Sequence, residues 1–285
     1  MASGHAGTAA RNSGNHHKCF SLLFYRAVRD LKPVWMLEDM RTMEAFYLED
    51  DASQRIFSPS EALLYAIVHD HQAYAQYLLT RYSEEALAEP GERFCCWPSS
   101  APHLTMAVRY DRRYILGLIL QESRRVPGYA GADGRFRTPL HLACELLRPE
   151  AVIMLLGSGA SPSAQDHDGF TPLDVVLEKL RDSSVLDGEE GRRCLDHLLM
   201  FMPKVRFKLQ AVLDKSPEVW SKVLGEETYK YLAGQSPAPL AVSTMQTILQ
   251  QLSPDTFPAS LSELPLPSSL KPQGLPVSPR DQQRV

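Results

Sequence analysis

An all-α solenoid of stacked helical pairs is the fold class this sequence predicts, on three observations. Thr138-Pro139-Leu140-His141 recurs 33 residues later as Thr171-Pro172-Leu173-Asp174, the period of one family of helix-turn-helix repeats. Thr138 can cap a helix whose first position is Pro139, where the missing amide costs nothing, so that Leu140, Leu142 and Ala143 turn inward. Glu150 to Leu156 then carries Val152, Ile153, Leu155 and Leu156 at the spacing of a second helix, with Gly157 and Gly159 expected to supply its C-terminal turn. One such pair cannot bury its apolar face alone, so others must flank it. A chain of 285 residues with 44% hydrophobic content is long enough to hold them.

In chain order, residues 1–18 are rich in Ala, Gly, Ser, Asn and His, lack apolar periodicity and are expected to be disordered. Ser21–Val28 and Val34–Met40 are two short helical runs split at Lys32-Pro33, a hairpin suited to cap the open end of an array. Ser58–Ala66 with Tyr77-Leu78-Leu79 is a degenerate pair, because Ala66 and Leu78 are separated by 12 residues, as are Ala143 and Leu155. The same spacing joins Ala107 to Ile119, and this third pair starts 41 residues after the second. The excess falls in the connection from Arg81 to Pro102, which holds Cys95-Cys96-Trp97-Pro98, and long connections in compact domains tend to be functional. Residues 165–202 read as a repeat whose inter-helix loop is enlarged by the polar insertion Arg181–Glu190. Phe207–Leu213 and Val219–Leu232 read as helices packing on the end of an array spanning 19–235. Pro and Ser thicken from Ser236, and 272–285 is a Pro/Gln/Arg tail expected to be disordered.

A net charge of −4 with no run of Lys or Arg gives no electrostatic footprint for nucleic acid or for an anionic membrane. No apolar stretch approaches membrane-spanning length, the start is polar, and five cysteines without a Cys-x-x-Cys pair suit reduced thiols. The expectation is a soluble cytosolic protein. Asp166-His167-Asp168-Gly169 resembles part of a calcium loop but lacks its later ligands, and reads as a hairpin turn. His141 with Cys144, His16 and His17 with Cys19, and His69 with His71 have no second pair at ligand spacing, so no metal is expected. Phosphate-loop, nucleophile-elbow and zinc-protease motifs are absent, and neither a catalytic site nor a cofactor is expected. For Cys95 and Cys96 two readings stand: one thiol buried beside Trp97, or an exposed loop that contacts a partner or senses redox state.

Thr-Pro-Leu-His, Leu-Leu and Gly-Ala in register identify the repeat as a member of the ankyrin family. Arrays of that family bind proteins through hairpin tips and the exposed positions of their first helices. The candidates implied here are His69, Arg109, Tyr110, Arg135, Arg137 and Phe170, with Cys95 and Cys96 beside them. Beyond the array, Pro239–Leu249 has apolar positions at helical spacing and Ser260–Lys271 follows, which together resemble a SOCS box. Leu240, Val242, Ile248 and Leu249 are expected to leave an apolar helix face open, since the chain around them is already turning to Pro and Ser. In the SOCS-box family this helix inserts into elongin C, and Pro239, Leu240 and Ile248 match it, with Thr244 where the family has Cys. Leu264-Pro265-Leu266-Pro267 with Leu270 resembles the tail that selects cullin-5, although no Tyr or Phe follows. The resemblance implies residues 236–271 as the adaptor segment of a non-catalytic receptor. That receptor would serve an elongin B/C ubiquitin ligase with cullin-5, alternatively cullin-2, and a RING subunit. The implied client is inosine monophosphate dehydrogenase, marked for proteasomal degradation. Two alternatives remain: a capping helix followed by a Pro-rich linker, and an array that only masks its partner.

Overall fold

The computed structural model describes residues 22–42, 57–91, 101–126, 137–182 and 188–266. Among the described residues all regular secondary structure is helical, and the fold is an all-α ankyrin solenoid. The chain divides into two compact units, 1–96 and 97–285.

The first unit contains α1 (22–29), α2 (Val34–Thr42), α3 (Pro59–Val68), α4 (Gln72–Arg81) and α5 (Ser83–Leu87). Helix α3 begins with a full capping box: the Ser58 hydroxyl accepts from the Glu61 amide, the Glu61 carboxylate accepts from the Ser58 amide at 2.9 Å, and Pro59 occupies the first turn. Phe24, Val28, Leu37, Leu63, Ile67, Tyr74 and Leu78 are wholly buried, and Phe24 stacks on Phe57 with ring centroids 4.5 Å apart. One charged pair is enclosed with them. Arg41 grips the Glu38 carboxylate with two bonds of 2.7 and 2.8 Å, while the Tyr74 and Tyr82 hydroxyls donate to the same carboxylate at 2.9 and 3.2 Å. Burial alone would push Glu38 up, but the Arg41 and Tyr74 bonds outweigh it and hold the carboxyl below its ordinary value. Helix α5, with Ala86 and Leu87 buried, lies inside the stretch expected as a plain loop, and Ser60 Oγ ties its end by donating to the Ala88 carbonyl at 2.7 Å. The extra residues of that connection are thus partly a helix.

The second unit contains α6 (Pro102–Arg109), α7 (Arg113–Ser123), α8 (Pro139–Glu145), α9 (Pro149–Gly157), α10 (Pro172–Asp182) and α11 (Gly188–Met200). The first helices α6, α8 and α10 pack side by side, and α7, α9 and α11 form a second layer on them. The Arg181–Glu190 insertion is largely absorbed, because α10 runs to Asp182 and α11 starts at Gly188. Gly191 permits the close helix contact this requires, since a Cβ there would lie 2.6 Å from the Leu180 side chain. After α12 (Gln210–Leu213), the predicted helix over 219–232 is two, α13 (Pro217–Leu224) and α14 (Glu226–Leu232), broken where Gly225 takes φ 82°. The chain continues as α15 (Leu240–Gln251), a 3-10 turn Pro254–Thr256 and α16 (Ala259–Glu263).

Within each of four helix pairs the turn has the same geometry. Leu31, Asp70, Asp111 and Leu147 take left-handed φ of 50 to 55°. The next amide, of Lys32, His71, Arg112 and Arg148, then donates to the carbonyl of Ala27, Ala66, Ala107 and Ala143 at 2.9 to 3.0 Å. This six-to-one bond closes each first helix, and in all four its acceptor is a buried alanine. The alanine therefore stands at the same place of the turn in the degenerate pairs as in the clear one.

Repeat is joined to repeat by the fourth residue of the Thr-Pro-Leu motif. The His141 ring accepts from Thr138 through Nδ1 and donates through Nε2 to the Phe170 carbonyl at 3.0 Å. Burial pushes its pKa below the ordinary value. In the next copy Asp174 does the converse, accepting from the Lys208 and Leu209 amides at 3.1 and 2.8 Å.

Candidate protein-interaction site

Of the residues expected to touch partners, Cys95, Cys96, Arg135, Pro267 and Leu270 lie outside the described residues. The others are divided between the two units. In the first unit His69 is half-buried at the end of α3, its ring 4.7 Å edge-on from Tyr25, which makes it a packing residue. In the second unit Arg109 and Tyr110 close α6, whereas Arg137 and Phe170 stand just before α8 and α10. Two of them therefore sit at helix-helix turns and two at hairpins. Phe170 is half-buried with the Lys208 ammonium 4.4 Å from its ring centre, so it is roofed rather than open. Arg137 is exposed and reaches along α8 to Glu145 at 2.9 Å.

The acidic hairpin behaves as a turn. Asp166 Oδ1 accepts the Asp168 and Phe170 amides at 3.0 and 2.9 Å, and Gly169 supplies φ 75°. Cys144 and Cys194 are buried, and burial raises both thiols far from reactivity.

Helix α15 lies against α11. Its polar residue Gln246 donates through Nε2 to the Leu199 and Met202 carbonyls at 2.8 and 3.0 Å, satisfying the end of α11. Met245 is fully buried in a cluster with Ile153 of α9, Phe257 and Leu261, and Ile248, Leu249, Leu252, Leu264 and Leu266 pack around it. The expectation of a common open face is corrected accordingly. Leu240 is 82% exposed and Thr244 is exposed, but Ile248 and Leu249 are half-covered because the chain doubles back after Leu252 and brings Phe257 and Leu261 over them. Of the tail residues described, Leu264 and Leu266 join the cluster and Pro265 is exposed.

Gly157 explains how the segment fits. It is the last residue of α9 and does not form the turn, which belongs to Gly159 at φ 97°. A Cβ on Gly157 would lie 2.1 Å from the Phe257 ring. The ring occupies the space where any other side chain would stand. Arg124 at the end of α7 fastens the same stretch, donating to the Asp255 carbonyl and, at 3.3 Å, to that of Phe257. The sequence signal was a glycine in a helical position with no turn to make.

Residues 136–167 match the ankyrin repeat family. Over 291 residues the chain is 40% identical to ankyrin repeat domain-containing protein 9 of Mus musculus, covering 90% of this chain and 89% of that protein. It belongs to the ankyrin repeat domain-containing protein 9 family. Shorter likenesses join the chain to other proteins. "BTB/POZ domain and ankyrin repeat-containing protein NOOT1" of Medicago truncatula is 45% identical over 16% of this chain and 9% of its own length. "Regulatory protein NPR6" of Arabidopsis thaliana is 36% identical over 26% and 15%. Both of these likenesses cover a small part of each chain, whereas the likeness to ankyrin repeat domain-containing protein 9 covers nine-tenths of this one. Among the described residues no helix is long and apolar enough to cross a membrane. A repeat-based protein-binding role follows from the family and the fold.

Proposed function

We propose that this protein is the non-catalytic substrate receptor of an elongin B/C ubiquitin ligase with cullin-5. It would act in the cytosol and hold its client, inosine monophosphate dehydrogenase in the reading by resemblance, on the ankyrin array. The observation that carries the proposal is the outer side of α15. It is a discrete helix that starts after Pro239, and Leu240, the residue that would enter elongin C, is 82% exposed with exposed Thr244 one turn on. So large an apolar side chain held in water at the start of a helix is a feature a partner can use. Burying it is worth about 1.5–3 kcal/mol, so Leu240→Ala is expected to weaken elongin C capture by about ten- to a hundredfold. Co-precipitation of elongin C and cullin-5 with each variant measures this, and unchanged recovery of both leaves the second reading. That reading, an array that binds and masks a partner without a ligase, is favoured by the packing of Ile248, Leu249, Leu264 and Leu266 onto the repeats.

A further inference from the structure

The turn edge of the second unit carries a group of arginines and tyrosines that the adaptor reading does not use. Arg109 and Tyr110 end α6, Arg113 and Tyr114 begin α7, and Arg148 stands at the matching turn of the next pair. Tyr110 and Tyr114 are 40% and 43% exposed, one helical turn apart in sequence. The only acid within residues 109–114 is Asp111. Its carboxylate lies between two guanidinium groups, 3.3 Å from Arg113 and 3.6 Å from Arg148, whose side chains are 51% and 40% exposed. Glu150 takes a further contact from Arg113 at 3.4 Å, but it is enclosed and shared with Arg193 at 2.9 Å. Asp111 therefore holds two forks side by side, and Arg113 is shared with Glu150. A guanidinium has five donors, and two carboxylates at these distances cannot engage all ten of the pair.

We propose that this edge, rather than the hairpin tips, is where the array takes its protein client, and that the client presents an acidic peptide segment with an aromatic residue. The forks suit carboxylates in pairs. The half-exposed Tyr110 and Tyr114, next to Asp111 and Arg113 in sequence, give rigid apolar contact with little entropy to lose, the composition in which binding energy concentrates. The inference rests on the protein-binding role of the array and is independent of the ligase reading.

The test uses the full chain and a fluorescein-labelled peptide of repeated Glu-Glu-Phe, followed by fluorescence anisotropy. Saturable binding that weakens with salt is expected, with loss of at least about tenfold in Arg113→Gln/Arg148→Gln and in Tyr110→Ala. Arg181→Gln, an exposed arginine paired with Asp182, is expected to leave it unchanged. Peptide binding that survives both edge variants, or equal binding of a Lys-Lys-Phe peptide, overturns the proposal. So does tighter binding of a single-stranded RNA of mixed sequence than of the acidic peptide. The edge variants should still recover elongin C, and Leu240→Ala should still bind the peptide, so a failure of this proposal and a failure of the adaptor reading give different patterns.

Discussion

Buried histidines hold the second unit together as neutral donors. His197 on α11 donates through Nδ1 to the Pro149 carbonyl at 3.0 Å, and burial pulls its pKa down to about 4 from 6.5. A histidine with a depressed folded-state value is neutral when folded and takes up a proton on unfolding between those two pH values. Its stabilisation is therefore complete above about pH 6.5 and is lost as pH falls towards 4, an effect of at most about 3 kcal/mol. Melting temperature followed from pH 7 to 4 should fall, and His197→Gln should fall less steeply over the same range. His141, shifted in the same direction, adds to the slope of both proteins. The positions of such histidines were legible only in part. Thr-Pro-Leu-His marks His141, whereas nothing near Cys194-Leu195-Asp196-His197 shows that its ring meets a carbonyl at the start of α9.

At the scale of elements, the joint between Gly157 and Phe257 can be tested apart from its surroundings. Gly157→Ala should unseat the 253–261 stretch, exposing it to protease while α6 to α11 stay folded, and Phe257→Ala should destabilise the protein by about 3–5 kcal/mol. Once the ring is gone the alanine has room, so the double variant should cost much less than the sum of the two, and a thermal or urea double-mutant cycle reads the difference. Fully additive effects would mean the two residues do not meet. The contrast with the helix pairs shows what a sequence can disclose. Ala66, Ala107 and Ala143 betray the register because each stands at the same place of a local turn, the acceptor of the six-to-one bond that closes a first helix. Phe257 and Gly157 are a hundred residues apart, and no local periodicity links them, so α15 could be read as a helix but its inner and outer sides could not be assigned. The break at Gly225 and the short helix α5 escaped for a related reason, since both depend on how a polar stretch packs rather than on its own pattern.

At the scale of the molecule, one chain combines a repeat array with a C-terminal helix that has two opposed commitments. Leu240 faces water while Met245, a little over one turn on, is locked into the core with Ile248 beside it. A partner that needs only the Leu240 side meets a prepared surface. One that also needs Ile248 must first select the minority of molecules in which the helix has lifted from α11, and its apparent affinity is its intrinsic affinity multiplied by that fraction. If docking is worth about 3 kcal/mol, the handicap is about a hundredfold. Loosening the dock should then strengthen capture rather than weaken it. Phe257→Ala is expected to raise recovery of elongin C at low adaptor concentration if Ile248 is used, and to leave it level if Leu240 suffices. Seen this way, the ring lodged on Gly157 sets a threshold, the concentration of partner below which the chain keeps its own helix.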